Sequence, residues 1–264
     1  MHRVAANHQT CRWGLLIGVL VMGLSLTEGG FSPVQAYTQL GPNTREDFRL
    51  WAPVYLTVNL PNRFLAWMEV NTRIGDDVTN IDQLLLRPMI GYKLTDHLSI
   101  WQGYAWVGNF NQPHKPPQPS FIGENRIFQQ AFYKRTFSRV KFQSRTRLEE
   151  RWIDHAAGTA VRFRQLLRVD VPIPQAPDWA FVAFDEVFVN LNAVGTFDEF
   201  RQGQTKGPGA GLDQNRFFLG VNKTFNEHLN VDLGYQNQML NQRQLPGNAN
   251  LINHVLLIQF WLTF

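Results

Sequence analysis

The chain has 264 residues, with 25 lysines and arginines against 21 aspartates and glutamates, a formal charge of +4. Only 17% of its residues are charged, 13% are aromatic, and it carries 20 glycines and 14 prolines. That mixture excludes a disordered chain, a collagen and a coiled coil, disfavours a helix bundle, and suits an all-β chain with much apolar surface to place.

The first 36 residues read as an address. Arg3 and Arg12 precede the apolar stretch from Trp13 to Leu26, and Val34-Gln35-Ala36 supplies the small residues of a cleavage site. At about 14 residues the stretch is short for a membrane helix. A secretory signal cleaved near Ala36 is therefore expected, leaving 37–264 as the mature domain. Cys11 is the chain's one cysteine and lies within that signal. The mature chain then has no disulfide, thiolate metal site or cysteine nucleophile.

Beyond this point the chain alternates. Candidate strands of roughly 10 to 14 residues, a length that crosses a bilayer at a tilt, fall at 48–60, 63–74, 81–93, 98–107, 122–135 and 139–152. Others follow at 158–171, 178–191, 212–225, 229–239 and 251–264. Short connections, such as Pro61-Asn62, Thr95-Asp96-His97 and Asn226-Glu227-His228, alternate with long ones at 108–121, 192–211 and 240–250. Outer-membrane barrels sort short periplasmic turns from long extracellular loops in this way. The expected fold is thus all-β, a transmembrane antiparallel β-barrel of ten to twelve strands. Eleven visible strands would leave the first and last parallel, whereas bacterial barrels usually have even numbers. Twelve are expected, with a short strand in 37–47 or with that segment threading the lumen.

Two internal echoes support a reused hairpin. Residues 94–104 align without gaps on 225–235, and Glu124-Asn125-Arg126-Ile127-Phe128 echoes Gln214-Asn215-Arg216-Phe217-Phe218. In the last candidate strand, Leu256, Ile258, Phe260, Leu262 and Phe264 share one face. An ordinary sandwich strand could carry that pattern. A terminal Phe behind a signal peptide also resembles the last strand of Gram-negative outer-membrane barrels, making Phe260, Leu262 and Phe264 the candidate signal for the barrel-assembly machinery. The aromatics Trp101, Tyr104, Trp106, Trp152, Trp179, Tyr235, Trp261 and Phe264 cluster near strand ends, as an interfacial girdle would.

The segments Leu50-Trp51, Arg87-Pro88-Met89-Ile90-Gly91-Tyr92, 124–130, 145–151, Asp185-Glu186 and Gly234-Tyr235 together resemble a family of short bacterial barrel proteins. It is catalogued as domain of unknown function 2490. The resemblance covers nearly all of 45–264 and implies an outer-membrane location. It brings no established activity, cofactor or catalytic residue.

The candidate chemistry is concentrated in two neighbouring strands. On 139–152, Arg139, Lys141, Arg145, Arg147, Glu149 and Arg151 share a face, and on 158–171 so do Arg162, Arg164, Arg168 and Asp170. Arginine on a lipid face costs about 2–4 kcal/mol at mid-depth, so these faces are expected to point into the lumen. Two readings follow. The arginines could line a narrow pore or binding barrel for small anionic solutes. Alternatively they could pair with Glu69, Glu149, Asp170, Glu186 and Asp232 in a salt-bridged plug, leaving the long loops to contact a partner.

Enzymatic readings are weaker. His97-Leu98-Ser99 resembles the His-x-Ser of barrel lipid deacylases, but the echo places His228 and Asn230 at the same positions, so both histidines read as turn residues. His114, His155 and His254 are scattered, without metal-site spacing. The glycine-rich 207–211 lacks a phosphate-loop ending. No enzyme activity, cofactor, metal or nucleic acid is expected. The expected surroundings are outer-membrane lipid and lipopolysaccharide, the assembly machinery and small anionic solutes, with the protein a monomer.

Overall fold

The computed structural model describes residues 44–110, 121–154, 156–196, 208–241 and 251–264. The expected signal peptide lies outside the described residues, as do most of the loops 108–121, 192–211 and 240–250. Period-2 sequence becomes strand throughout. In chain order these are β1 (Arg45–Asn59), β2 (Phe64–Gly75), β3 (Asn80–Lys93), β4 (Leu98–Phe110), β5 (Phe121–Phe137), β6 (Val140–Ile153) and β7 (Ala156–Ala157). Then come β8 (Ala160–Ile173), β9 (Ala176–Asn190), β10 (Gly195–Thr196), β11 (Gly211–Thr224), β12 (Leu229–Leu240) and β13 (Leu251–Thr263). The two-residue β7 and β10 pair with each other, and the other eleven strands close a barrel.

Eleven strands, not twelve, close that barrel among the described residues. Successive strands pair antiparallel, and closure comes from a parallel seam between β1 and β13, with Leu50 opposite Leu256 and Thr57 opposite Thr263. The seam extends to the last residue. The Asn59 N–H donates to the Phe264 carbonyl (2.7 Å), and the Phe264 N–H donates to the Thr57 carbonyl (2.9 Å). Parallel pairing is only slightly weaker per residue than antiparallel pairing, and a 19-stranded mitochondrial barrel shows that an odd count can close.

The connections sort largely by end. Of the six connections of two to four residues between barrel strands, five (60–63, 94–97, 138–139, 174–175 and 225–228) lie at the end that holds Phe264 and one, 76–79, at the opposite end. Asn62, Arg63 and Ser138 take positive φ (57°, 67° and 56°), as tight hairpin turns require. The echo between 94–104 and 225–235 has a physical basis here. The Thr95 hydroxyl accepts the N–H groups of His97 (3.2 Å) and Leu98 (3.0 Å). At the aligned position, the Asn226 side chain accepts those of His228 (2.9 Å) and Leu229 (2.8 Å). Side chains that cap their own turn in this way make His97 and His228 turn residues.

Both echoes also meet in the packing. The Phe128 ring covers Gly103, directly opposite it on β4, so a Cβ there would lie 2.2 Å from the ring. The Phe218 ring also lies over Gly234, at 2.7 Å, but there the Leu219 carbonyl (2.3 Å) and Gly220 Cα (2.6 Å) of the paired strand are closer still. Glycine at Gly103 leaves space for a ring, and at Gly234 for a ring and a closely approaching backbone.

Alternation puts one residue set inside and the other outside. Inside are two apolar clusters. Trp51, Leu166, Val182, Phe184, Phe218, Val255 and Leu257 form one, while Met89, Ala105 and Phe128, with Trp67 and Trp101 against them, form the other. Outside, Val54, Val70, Ile90, Ile100, Ile127, Phe181, Leu219, Leu233 and Leu256 are exposed. Of the expected girdle, Trp101 and Trp261 point inward instead: Trp101 joins the second cluster and the Trp261 indole N–H donates to Asp232 (2.9 Å). No helix among the described residues is long and apolar enough to cross a membrane.

Candidate functional site

The polar part of the lumen is built on β5, β6 and β8. Alternation turns Glu124, Arg126 and Gln130 of β5, Arg145, Arg147, Glu149 and Arg151 of β6, and Arg162, Arg164 and Arg168 of β8 inward. Register sets Arg126 opposite Arg151 and Arg147 opposite Arg164. Like charges directly opposite repel, so each such pair needs a carboxylate between its members.

The carboxylates are where that requirement places them. Glu124 accepts from Arg126 Nε (2.7 Å) and Arg151 Nε (2.5 Å). Glu149, 0% exposed, is the hub: it accepts from Arg162 Nη2 (2.6 Å), Arg164 Nη1 (2.6 Å) and Arg147 Nη1 (3.3 Å). Glu186 accepts from Arg145 and Arg164, both at 2.7 Å. Asp232 takes a fork from Arg168 (2.5 and 3.0 Å) and a further N–H from Asn222 (2.6 Å). Asp170 accepts from Arg168 Nε (2.7 Å), and Glu69 pairs with Arg87. Forked guanidinium–carboxylate contacts are the strong, geometrically selective kind. Aromatic faces complete the shell, with Arg147 over Phe128 (4.2 Å) and Arg164 over Phe188 (4.4 Å).

Of the arginines expected to line the lumen, Arg145, Arg147, Arg151, Arg162, Arg164 and Arg168 do so. Arg139 does not: it lies exposed in the turn after Ser138, because β6 begins only at Val140. Lys141 shares the inward parity but sits exposed at the turn end, opposite Asp170. Glu69, Glu149, Glu186 and Asp232 are buried in the lumen and Asp170 is half-buried there. Phe260, Leu262 and Phe264 share the outer face of β13, and Phe264 stacks on His228 at 4.8 Å. Ser99 accepts the Trp101 indole N–H (2.8 Å), while His97 stays in its exposed turn.

Sequence reasoning missed Glu124 and Arg126, and also Arg73, Arg87 and Arg216. The last three stand singly on β2, β3 and β11, so no ladder marks them. These three also differ in their partners. Arg73 donates to Gln83 (2.6 Å) and lies 3.8 Å over the Trp51 ring, with no carboxylate within ion-pair distance among the described residues. Arg216 stacks on Trp51 (4.9 Å) and Phe188 (4.6 Å), and its carboxylate contact is Glu186 at 3.9 Å. The ladder of β6 and β8 is therefore largely neutralised, and the spare positive charge sits around Trp51, next to the ladder: Arg216 shares the Phe188 ring and Glu186 with Arg164.

Among the described residues the count is uneven. Nine buried arginines face five buried carboxylates. Including the half-buried, ion-paired Arg49, Arg145, Asp47, Asp82, Asp170 and Asp213 makes it eleven against nine. A cavity of about 60 Å3 opens beside the unpaired arginines, lined by Trp51, Arg73, Arg87, Glu69, Arg216 and Gln236 among others.

Comparison with known proteins places this architecture. The model of the family described as "Protein of unknown function (DUF2490)" matches residues 48–248. The chain is 32% identical over 223 residues to "Uncharacterized protein MexAM1_META1p0181" of Methylorubrum extorquens, an alignment covering 83% of this chain and 89% of that protein. No solved structure matches.

Proposed function

This chain belongs to the DUF2490 family, and we propose that it is an outer-membrane β-barrel that binds a small anionic solute inside a filled lumen. The observation that carries this reading is the surplus of buried guanidinium groups, nine against five buried carboxylates among the described residues. An uncompensated buried charge costs several kcal/mol even after relaxation, and a resident anion removes that cost. An open channel fits the same residues less well, because the β6 and β8 arginines already spend their donors on Glu149, Glu186, Asp170 and Asp232.

The membrane location rests on the outer surface. Exposed Val, Ile, Leu and Phe recur on alternate positions around the barrel, far beyond the patch a soluble monomer shows. Five of the six connections of two to four residues between barrel strands also lie at one end. The proposed protein is a monomer, cleaved near Ala36, set among phospholipid and lipopolysaccharide.

The test is thermal unfolding of the refolded protein in detergent, with sodium phosphate or acetate against sodium chloride at equal ionic strength. A midpoint raised by the oxyanion salts supports the binding reading. An unchanged midpoint favours the second reading, a plugged structural barrel that the ion-pair network also suits.

A further inference from the structure

We infer that the cavity beside Trp51 is a site for one compact oxyanion, inorganic phosphate in chemical class. This inference rests on the anion-binding reading and locates it in the cavity between Trp51 and the ladder residues Arg145, Arg164 and Arg168, which share its wall.

Among the described residues six buried side-chain N–H donors lack hydrogen-bond partners; one, Arg49 Nε, lies 2.6 Å from Asp47, and the other five belong to residues lining this cavity. They are Trp51 Nε1, Arg73 Nε, Arg87 Nε, Arg216 Nε and Gln236 Nε2. Every one of these residues is at least nine-tenths buried. A buried donor without an acceptor costs about 1–3 kcal/mol, more when it is charged. Arg73 has no carboxylate within ion-pair distance among the described residues and Arg216 has Glu186 at 3.9 Å, so positive charge remains at this cavity for a ligand rich in acceptors and negative in charge to offset. Arg73 and Arg216 are both held against the Trp51 ring, at 3.8 and 4.9 Å, so their positions are set before any ligand enters.

Size comes first. A cavity of about 60 Å3 has room for several waters, and so for an ion of a few heavy atoms.

Acceptors narrow the class. Asn71 Oδ1 and Gln259 Oε1 also line the cavity and also lack partners. The Asn71 amide is oriented by its own N–H, which donates to Glu69 (3.0 Å), so its oxygen is presented as an acceptor. Glu69 itself is taken up by Arg87 and Asn71. A ligand that accepts from most of the wall and donates to one or two amide oxygens satisfies both sets. Phosphate keeps a proton at neutral pH and can do this; sulfate is fully deprotonated and cannot.

The experiment is equilibrium titration of the full refolded barrel with inorganic phosphate and, separately, with sulfate. The wild type should bind phosphate, and sulfate at least about tenfold more weakly, since one unmade bond to a charged partner is worth that much. Arg73→Gln and Arg216→Gln should each weaken phosphate by about tenfold or more, while Arg151→Gln, which is held by Glu124 and does not line the cavity, should leave it unchanged. Should the arginine variants fail to fold, Trp51→Phe keeps an aromatic face, removes the indole N–H together with part of the ring, and should weaken phosphate on its own. No binding by the wild type to phosphate, sulfate or acetate would overturn the anion-binding reading and this site with it. Phosphate binding that survives Arg73→Gln, Arg216→Gln and Trp51→Phe would leave that reading standing and place its site elsewhere. Equal binding of sulfate would remove the assignment to a protonated oxyanion.

Discussion

Glu149 and Arg162 stand directly opposite each other on β6 and β8, with the Glu149 carboxylate wholly buried and 2.6 Å from the guanidinium. Two further arginines, Arg147 and Arg164, reach the same carboxylate. Removing its charge leaves three guanidinium groups around a neutral amide. Glu149→Gln should therefore destabilise the folded barrel by about 3–5 kcal/mol, measured as a shift in urea-unfolding midpoint of the refolded protein. Asp213→Asn, at the half-exposed end of the network and 3.1 Å from Arg162, should cost about 1 kcal/mol or less. Equal losses in the two variants would mean that the hub is no hub.

Phe128 over Gly103 gives a second prediction. A methyl at Gly103 meets the ring at 2.2 Å, so Gly103→Ala should cost about 1–3 kcal/mol through overpacking. Combining it with Phe128→Leu should recover part of the loss, because the two changes share one space. Simple additivity in that double variant would separate the residues.

The parallel seam is open to direct chemistry. Leu50 and Leu256 are register partners across β1 and β13 on the outer face, and Cys11 lies far upstream in the expected signal. A Leu50→Cys, Leu256→Cys variant should cross-link within one chain on mild oxidation and run faster on a denaturing gel. A barrel closed by a further strand would hold these positions apart, and no intramolecular product would form.

The outer face predicts a depth-dependent penalty. Leu219→Arg and Ile127→Arg should each cost up to about 2–4 kcal/mol in lipid bilayers, according to how near the midplane each residue sits. Little change at either position in lipid would speak against a membrane setting for that surface.

Much of this was legible in the sequence, and the reasons differ by residue. Strands show because period-2 alternation survives in every hairpin, and the β6 and β8 ladder shows because its arginines are consecutive on one face. Arg139 misleads because its parity continues that of β6 through a two-residue turn, where parity carries no direction. Arg73, Arg87 and Arg216 each stand alone on a strand, and only register brings them to Trp51. Trp101 and Trp261 share parity with the inward Gly103 and Gln259, so their inward direction was readable, but nearness to a strand end suggested a girdle. The eleven strands could be counted directly; the preference for even numbers pointed to a twelfth.

The central claim is that the lumen is filled and binds rather than conducts. Single-channel recording of the refolded protein in a planar bilayer, with reversal potential under a salt gradient, tests it most directly. The expected result is a correctly folded, heat-modifiable barrel with no steady conductance. A steady, anion-selective current would contradict it and make the arginines of β6 and β8 the lining of an open pore.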